Sequence, residues 1–428
     1  MDAENTIREI AVAARKAAAK LAVTTGARRD AALREAAAAL RAGAEELKAA
    51  NAKDLARSEE FGLSSAMVKR LTLDDARIEG MAAALEEMAL QVDPVGKTLA
   101  AYNRPNGLRI EKRRVPIGVV GIIFESRPNV TSDAAGLCLK SGNACILRGG
   151  KEAIHSNLAI ARALRAGIEA AGLPAECVTV LETTDRALVP AMARAQGLID
   201  LIIPRGGHGL VSAVVEAATI PVIKHLDGVC HVYVHAEADL DMAERIAVNA
   251  KCQYPAVCNA METLLVDVAV ASRFLPQVAG ALLAEGVELR CGPRAMRHIA
   301  SACPQAVQAG RVLDATQEDW GAEYLELILA VKVVGGLQDA VDHINTYGSK
   351  HTDAIVTQSL AAADAFTAGV DSSSVMVNAS TRWADGGRYG LGAEIGISTD
   401  KLHARGPMGA DDLTTYKWIV TGKGHIVK

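Results

Sequence analysis

Apolar positions recur every three or four residues through most of the first 95 residues, a stretch dense in Ala, Glu, Arg and Lys. That period belongs to amphipathic helices. It predicts about two or three of them, covering a core and carrying no chemistry. Asn103-Arg104-Pro105-Asn106-Gly107 interrupts the pattern as a turn, and Leu108 to Val115 then alternates like an exposed, charged strand. From Ile117 short apolar runs bounded by Gly and Pro alternate with helical stretches. The strand candidates are Ile117–Phe124, Ala144–Leu147, Cys177–Leu181, Leu198–Ile203, Val222–Ile223 and Val229–Val234. Between them lie helices such as Glu152–Ala171, stopped by Gly172-Leu173-Pro174.

This alternation predicts a parallel, doubly wound sheet covered on both faces, with ligands expected in the loops beyond the carboxyl ends of the strands. A second block with the same texture runs from Thr263 to Val377, with strands at Leu264–Val266, Leu327–Val334, Ala354–Val356 and Ser374–Val377. Thr415–Val420 reads as one further strand near the C-terminus. It and the strand near residue 110 have no evident partner in either block.

Composition narrows the class. A chain of 428 residues is long enough for two or three domains. Half of it is hydrophobic and only 3% aromatic, which fits an aliphatic, helix-rich α/β enzyme. A net charge of −4 with interspersed signs offers no basic stripe for nucleic acid. The eight cysteines form no C-x-x-C pair. Without a signal-like start or an apolar run of about 18 residues, the expectation is a reduced cytoplasmic protein with no membrane contact.

Cys258 stands out among the thiols. It lies in Gln253-Tyr254-Pro255-Ala256-Val257-Cys258-Asn259-Ala260-Met261-Glu262-Thr263, where Pro255 argues against a helix and a strand follows at once. That setting puts it on a loop where the two blocks meet, with Cys252 as the near competitor; the other cysteines sit in apolar elements and read as core. Two turns invite a phosphate. Ile203-Pro204-Arg205-Gly206-Gly207-His208-Gly209 leaves a strand and opens a helix, so Gly206 and Gly207 allow close backbone approach and Arg205 adds charge. Leu147-Arg148-Gly149-Gly150-Lys151 is the second, with Arg148 and Lys151 suited to the 2′-phosphate or ribose of NADPH. The histidines show no metal-ligand spacing, so no metal is expected; G-x-S-x-G and Walker loops are absent too.

Three stretches together are similar to the aldehyde dehydrogenase superfamily, and specifically to its branch that reduces L-glutamyl 5-phosphate. They are Val115–Asn129, the Cys258 loop, and Ala340-Val341-Asp342-His343-Ile344-Asn345-Thr346-Tyr347-Gly348-Ser349-Lys350-His351-Thr352-Asp353-Ala354-Ile355, and the resemblance extends from about Ile10 to Gly424. It implies an α/β aldehyde dehydrogenase-like fold: two doubly wound parallel-sheet domains and a small β-flap for homo-oligomerisation. The NADP(H)-binding domain is expected over 1–98 and 118–254 with part of 385–404, the catalytic domain over 255–384, and the flap over 99–117 and 405–428.

The resemblance further implies the second step of proline biosynthesis. Cys258 is the nucleophile, NADPH binds at Arg148, Gly149, Lys151, Arg205, Gly206 and Gly207, and the acyl phosphate comes from a separate glutamate 5-kinase. Ser126 and Asn129, expected in the loop after strand Ile117–Phe124, are the oxyanion candidates together with the Cys258 backbone N–H. Arg127 and Arg382 are candidates for the substrate's α-carboxylate and phosphate, and Asp385 for its α-amino group. His343 and His351 are expected to hydrogen-bond structurally. Hydrolytic relatives carry Glu-Leu-Gly-Gly where this chain has His225-Leu226-Asp227-Gly228, so the water-activating carboxylate is missing. A reductase needs that loss, because its thioester must outlast water. The rival readings are a hydrolytic aldehyde dehydrogenase and a catalytically silent scaffold. Fast, selective labelling of Cys258 would set an enzyme apart from the scaffold.

Overall fold

The computed structural model describes residues 2–125, 127–224 and 227–427. Ser126, His225 and Leu226, all singled out from the sequence, lie outside the described residues. The chain divides into two compact units, one formed by Met1–Lys224, Gly390–Gly396 and Lys401–Lys428, the other by His225–Tyr389 and Ile397–Asp400.

In the first unit the Ala-rich start is five helices: Ala3–Leu21, Gly26–Ala42, Ala44–Leu55, Ser65–Leu71 and Asp75–Leu90. The apolar period had merged several of them, because alanine continues the pattern through the breaks. Local capping makes the breaks: Asp2, Ser64 and Asp74 accept the N–H groups of Glu4, Met67 and Arg77. Each such cap is worth about 1 kcal/mol. Small residues also set the spacing. A Cβ on Gly167 would stand 2.3 Å from the backbone of Ala36, so Ile154–Ala170 and Gly26–Ala42 touch nearly backbone to backbone.

These helices cover a four-stranded parallel sheet ordered Val178–Val180, Ala144–Arg148, Val119–Phe124, Leu201–Arg205. Every residue of Val119–Phe124 is buried, which explains a run apolar on both faces. Successive strands step outward from Val119–Phe124 on one side, and Leu201–Arg205 lies on the other. The connection therefore reverses between these two strands, and the loops after Phe124 and Arg205 leave the sheet side by side. That is where open parallel sheets bind ligands. The strand read at Val222–Ile223 shrinks to a single bridge between Val222 and Ile202.

The second unit holds a seven-stranded parallel sheet ordered Val312–Asp314, Glu288–Cys291, Ile328–Val334, Met261–Asp267, Cys230–Val234, Thr352–Val356, Ser374–Val377. The strand at Cys230–Val234, read with the first block, lies inside this sheet. The switch of sheet falls ahead of it because both sheets are parallel and buried, and their strands look alike in sequence.

Thr98–Asn103, Arg109–Pro116 and Thr414–Thr421 form a separate antiparallel sheet in that order. The two strands without evident partners thus pair with each other. No helix among the described residues is long and apolar enough to cross a membrane.

Candidate active site

Cys258 is half-buried on the loop joining helix Leu240–Cys252 to strand Met261–Asp267. It stands at the amino end of its strand, where the switch-point rule for carboxyl ends gives no guidance. Other loops entering the central strands hold it there. The thiol of Cys230 donates to the Cys258 carbonyl at 3.2 Å. Gly228 lies so close that a Cβ on it would be 2.0 Å from the Cys258 carbonyl oxygen and 2.5 Å from its Cα. Gly228, the last residue of the stretch that replaces Glu-Leu-Gly-Gly, is therefore pressed against the nucleophile, and only glycine fits there.

The roots of the loop are tied as well. Lys251 before it and Glu262 after it form a 2.6 Å ion pair with both side chains fully buried. Burial works against both charges, lowering the Lys251 ammonium and raising the Glu262 carboxyl, and each partner opposes the shift in the other. Within the loop, the Ala260 N–H donates to the Val257 carbonyl at 3.0 Å.

Five of the other thiols are suppressed. Burial pushes Cys177 and Cys291 up to about 12 and Cys252, the near competitor, up to about 11. Burial also raises Cys230, and a hydrogen bond with Cys138 together with burial raises Cys145. Such thiols are poor nucleophiles near neutral pH.

Of the substrate candidates in this unit, Arg382 is buried and occupied. Its Nε donates to Gln253 Oε1 at 2.9 Å and its Nη1 to Asn259 Oδ1. Asp385 is exposed and accepts from the N–H groups of Gly387 and Arg388 at 3.1 and 3.2 Å. His343 is buried, with Nδ1 2.9 Å from Lys332 Nζ; burial lowers its ring to about 3, so it stays neutral near pH 7. His351 Nδ1 lies 2.8 Å from Thr352 Oγ1 and 3.7 Å from Cys230 Sγ. No group of three or more His, Cys, Asp and Glu suited to a metal occurs among the described residues.

In the first unit the candidate cofactor residues end or follow two strands, Ala144–Arg148 and Leu201–Arg205, that flank Val119–Phe124. Helix His208–Ala217 opens from Gly207, and a Cβ on Gly207 would meet open space. One anion already answers this end, since Glu125 Oε2 accepts the Gly207 N–H at 2.9 Å. Arg205 lies 4.0 Å from Glu394. Arg148 donates from Nη2 to the Thr184 carbonyl at 3.2 Å, and burial lowers it. Lys151 sits 4.6 Å over the Phe61 ring. At Gly149 a Cβ would be 2.1 Å from Asn157 Nδ2, so this glycine serves the fit of strand to helix. The donor set, a glycine-led helix start with nearby cations, fits a dinucleotide phosphate.

Asn129 was expected in a loop, but it is the first residue of helix Asn129–Lys140. Its Nδ2 donates to Asp133 Oδ2 at 2.9 Å, leaving one amide N–H for another acceptor. Burial raises Asp133 to about 6, against the Asn129 bond and the charge of Arg205. Arg127 is exposed on the loop that follows Phe124.

Sequence reasoning missed Glu125, the Lys251–Glu262 pair and Glu323. Burial raises the Glu323 carboxyl, while a hydrogen bond from the Gly228 N–H opposes the rise. Glu323 is 95 residues from that turn in sequence, and only an acidic residue just before a strand was there to signal it.

Residues 1–326 match the profile of the aldehyde dehydrogenase family. A gamma-glutamyl phosphate reductase of Geobacter metallireducens is 55% identical over 420 residues, covering 98% of each chain. The crystal structure of gamma-glutamyl phosphate reductase from Thermotoga maritima matches with a TM-score of 0.93 at 42% identity, covering 98% of this chain and 99% of that one. A glyceraldehyde-3-phosphate dehydrogenase of Methanocaldococcus jannaschii, solved in complex with NADP, shares the fold with a TM-score of 0.69 at 15% identity over 98% of this chain and 95% of that one.

Proposed function

The chain belongs to the aldehyde dehydrogenase family and, within it, to the gamma-glutamyl phosphate reductases, and we propose that it reduces its acyl phosphate through a thioester on Cys258 with NADPH as hydride donor. The reaction converts L-glutamyl 5-phosphate to L-glutamate 5-semialdehyde and phosphate, the second step of proline biosynthesis. The observation that carries the mechanism is the contrast among thiols: Cys258 is half-exposed on a tied loop, while its neighbours Cys230 and Cys252 are raised by burial.

The Cys258 thiolate attacks the C5 carbonyl, the C–O bond to phosphate breaks, and phosphate departs with its electron pair. Phosphate leaves readily, so this step needs no strong general acid. The resulting thioester is a better hydride acceptor than a carboxylate. Bound NADPH supplies the hydride to that carbon. Collapse of the hemithioacetal oxyanion expels the Cys258 thiolate and frees the aldehyde. The oxyanion is met by the Cys258 backbone N–H, a kind of donor whose removal costs on the order of 10²–10³ in rate.

The N–H groups opening His208–Ala217, with Arg205, hold the cofactor's phosphates, the Glu125 carboxylate giving way to them. Arg148 and Lys151 hold the 2′-phosphate. Asp385 takes the substrate's amino group, while two edges of Arg382 are committed to protein groups. A separate glutamate 5-kinase supplies the labile acyl phosphate.

The flap serves self-association. On one of its faces Tyr416, Trp418 and Val420 are 47, 53 and 57% exposed, in line with Tyr102 and Ile110 across the strands. Exposed aromatic side chains interleaved with Lys112 and Arg114 across the strands suit a protein interface, where aromatic and arginine residues are enriched.

The test is kinetic. Cys258→Ser should lose at least about 10³ in kcat. Wild type should use NADPH over NADH, and Arg148→Ala should erode that preference through KM for NADPH. A Cys258→Ser enzyme with near-normal turnover would refute the thioester.

A further inference from the structure

We infer that Arg382 is a positioning residue for the nucleophile: it braces the Cys258 loop and supplies the counter-charge for the thiolate, acting on Cys258 rather than on substrate. The inference rests on the Cys258 mechanism above.

The geometry is that of a brace. Gln253 opens the irregular loop and Asn259 follows Cys258 directly, and one guanidinium reaches both through different edges, Nε to Gln253 Oε1 at 2.9 Å and Nη1 to Asn259 Oδ1. The bond is returned two residues on, where Asn259 Nδ2 donates to the Ala384 carbonyl at 2.8 Å. Arg382 is itself anchored. It lies in the short helix Thr381–Trp383, its N–H meets Ser380 Oγ at 3.3 Å, and its carbonyl accepts from Arg388 Nη1 at 2.8 Å. With the side chain this constrained, the loop cannot shift without breaking bonds to a buried charged group.

The charge is the second element. Arg382 is 7% exposed, and among the described residues no carboxylate oxygen lies within salt-bridge distance of it. A buried cation ordinarily needs a paired anion. The guanidinium's ionised form is disfavoured first by burial and then by Arg388, and it is favoured by Asp385 and by Cys258 itself. A buried cation bound to the loop that carries the nucleophile favours a thiolate there, which is the reactive form. A residue that only bound substrate would not need the bridge across the loop.

The experiment measures iodoacetamide labelling of Cys258 against pH in the full-length enzyme, read peptide by peptide by mass spectrometry, for wild type, Arg382→Gln and Arg382→Lys. Steady-state kinetics with glutamate 5-semialdehyde, NADP⁺ and phosphate run in parallel. In Arg382→Gln the labelling midpoint should move to higher pH, with labelling at pH 7 slowed by about tenfold or more. The kcat should fall while KM for the aldehyde stays within about threefold. Arg382→Lys keeps the charge and loses the two-edged bridge, so its midpoint should lie nearer wild type although kcat still drops. It also carries the test if Arg382→Gln does not fold. An unmoved labelling profile overturns the inference, whether KM rises by tenfold or more, as for a substrate ligand, or does not change. The mechanism fails separately, if wild-type Cys258 labels no faster than the buried cysteines.

Discussion

At the scale of single residues, the nucleophile is defined more by what surrounds it than by its own identity. Gly228 illustrates this. The site of its missing Cβ is 2.0 Å from the Cys258 carbonyl oxygen, a backbone atom that cannot rotate away. Gly228→Ala must therefore displace either the turn or the nucleophile. A displacement on the order of 1 Å at a reacting centre costs about 10² in rate. The substitution should lower kcat by roughly that factor, with far-ultraviolet circular dichroism unchanged, while Gly280→Ala, where a Cβ would meet open space, serves as the comparison for adding a methyl group. Wild-type turnover in Gly228→Ala would show that the turn yields freely. The sequence marked Cys258 because its loop combines a proline, polar neighbours and a following strand. It could not mark Gly228 as a packing glycine or Glu323 as its partner, since those relations exist only once separate loops converge. Asn129 was marked by residue type and misplaced by element, because nothing local shows that the helix begins on it.

Among elements, the loop from Gln253 to Ala260 works as a unit because its two roots are joined. Lys251 ends one element and Glu262 lies in the next, and their pair is buried on both sides. Removing one partner strands a buried charge, at a cost of about 3–5 kcal/mol, whereas replacing both with apolar residues is close to neutral. Lys251→Met should thus lower the thermal midpoint sharply, and Lys251→Met with Glu262→Leu should recover most of the loss. Equal midpoints for the single and double variants would contradict the pairing. The strands themselves were legible, because buried parallel strands read as short apolar runs between turn residues. Their assignment to sheets was not: Cys230–Val234 has the same texture as strands of the other sheet. Helix boundaries at the start were hidden by alanine, which favours helix on both sides of each break.

For the whole molecule, the two sheets and the flap divide the work. The carboxyl ends of the four-stranded sheet carry the proposed cofactor turns, and the loop entering a strand of the seven-stranded sheet carries the nucleophile. The flap contains none of the candidate catalytic residues and instead exposes aromatic side chains. Lys112 lies 3.7 Å over the Tyr416 ring, which lends that face a cation–π contact but leaves Trp418 half in solvent. Trp418→Glu should reduce the molar mass measured by light scattering at a fixed concentration. An unchanged mass would assign self-association to another surface. The flap could be anticipated from the sequence only by elimination, as two strands without partners; which face they expose follows from the register.

The central claim is that the Cys258 thioester exchanges with phosphate and not with water. The most direct measurement is the reverse reaction, glutamate 5-semialdehyde with NADP⁺, followed through absorbance of the reduced cofactor with and without inorganic phosphate. The account predicts turnover that requires phosphate and disappears in Cys258→Ser. Equal rates without phosphate would mean that water resolves the thioester, and the chain would then work as a hydrolytic aldehyde dehydrogenase.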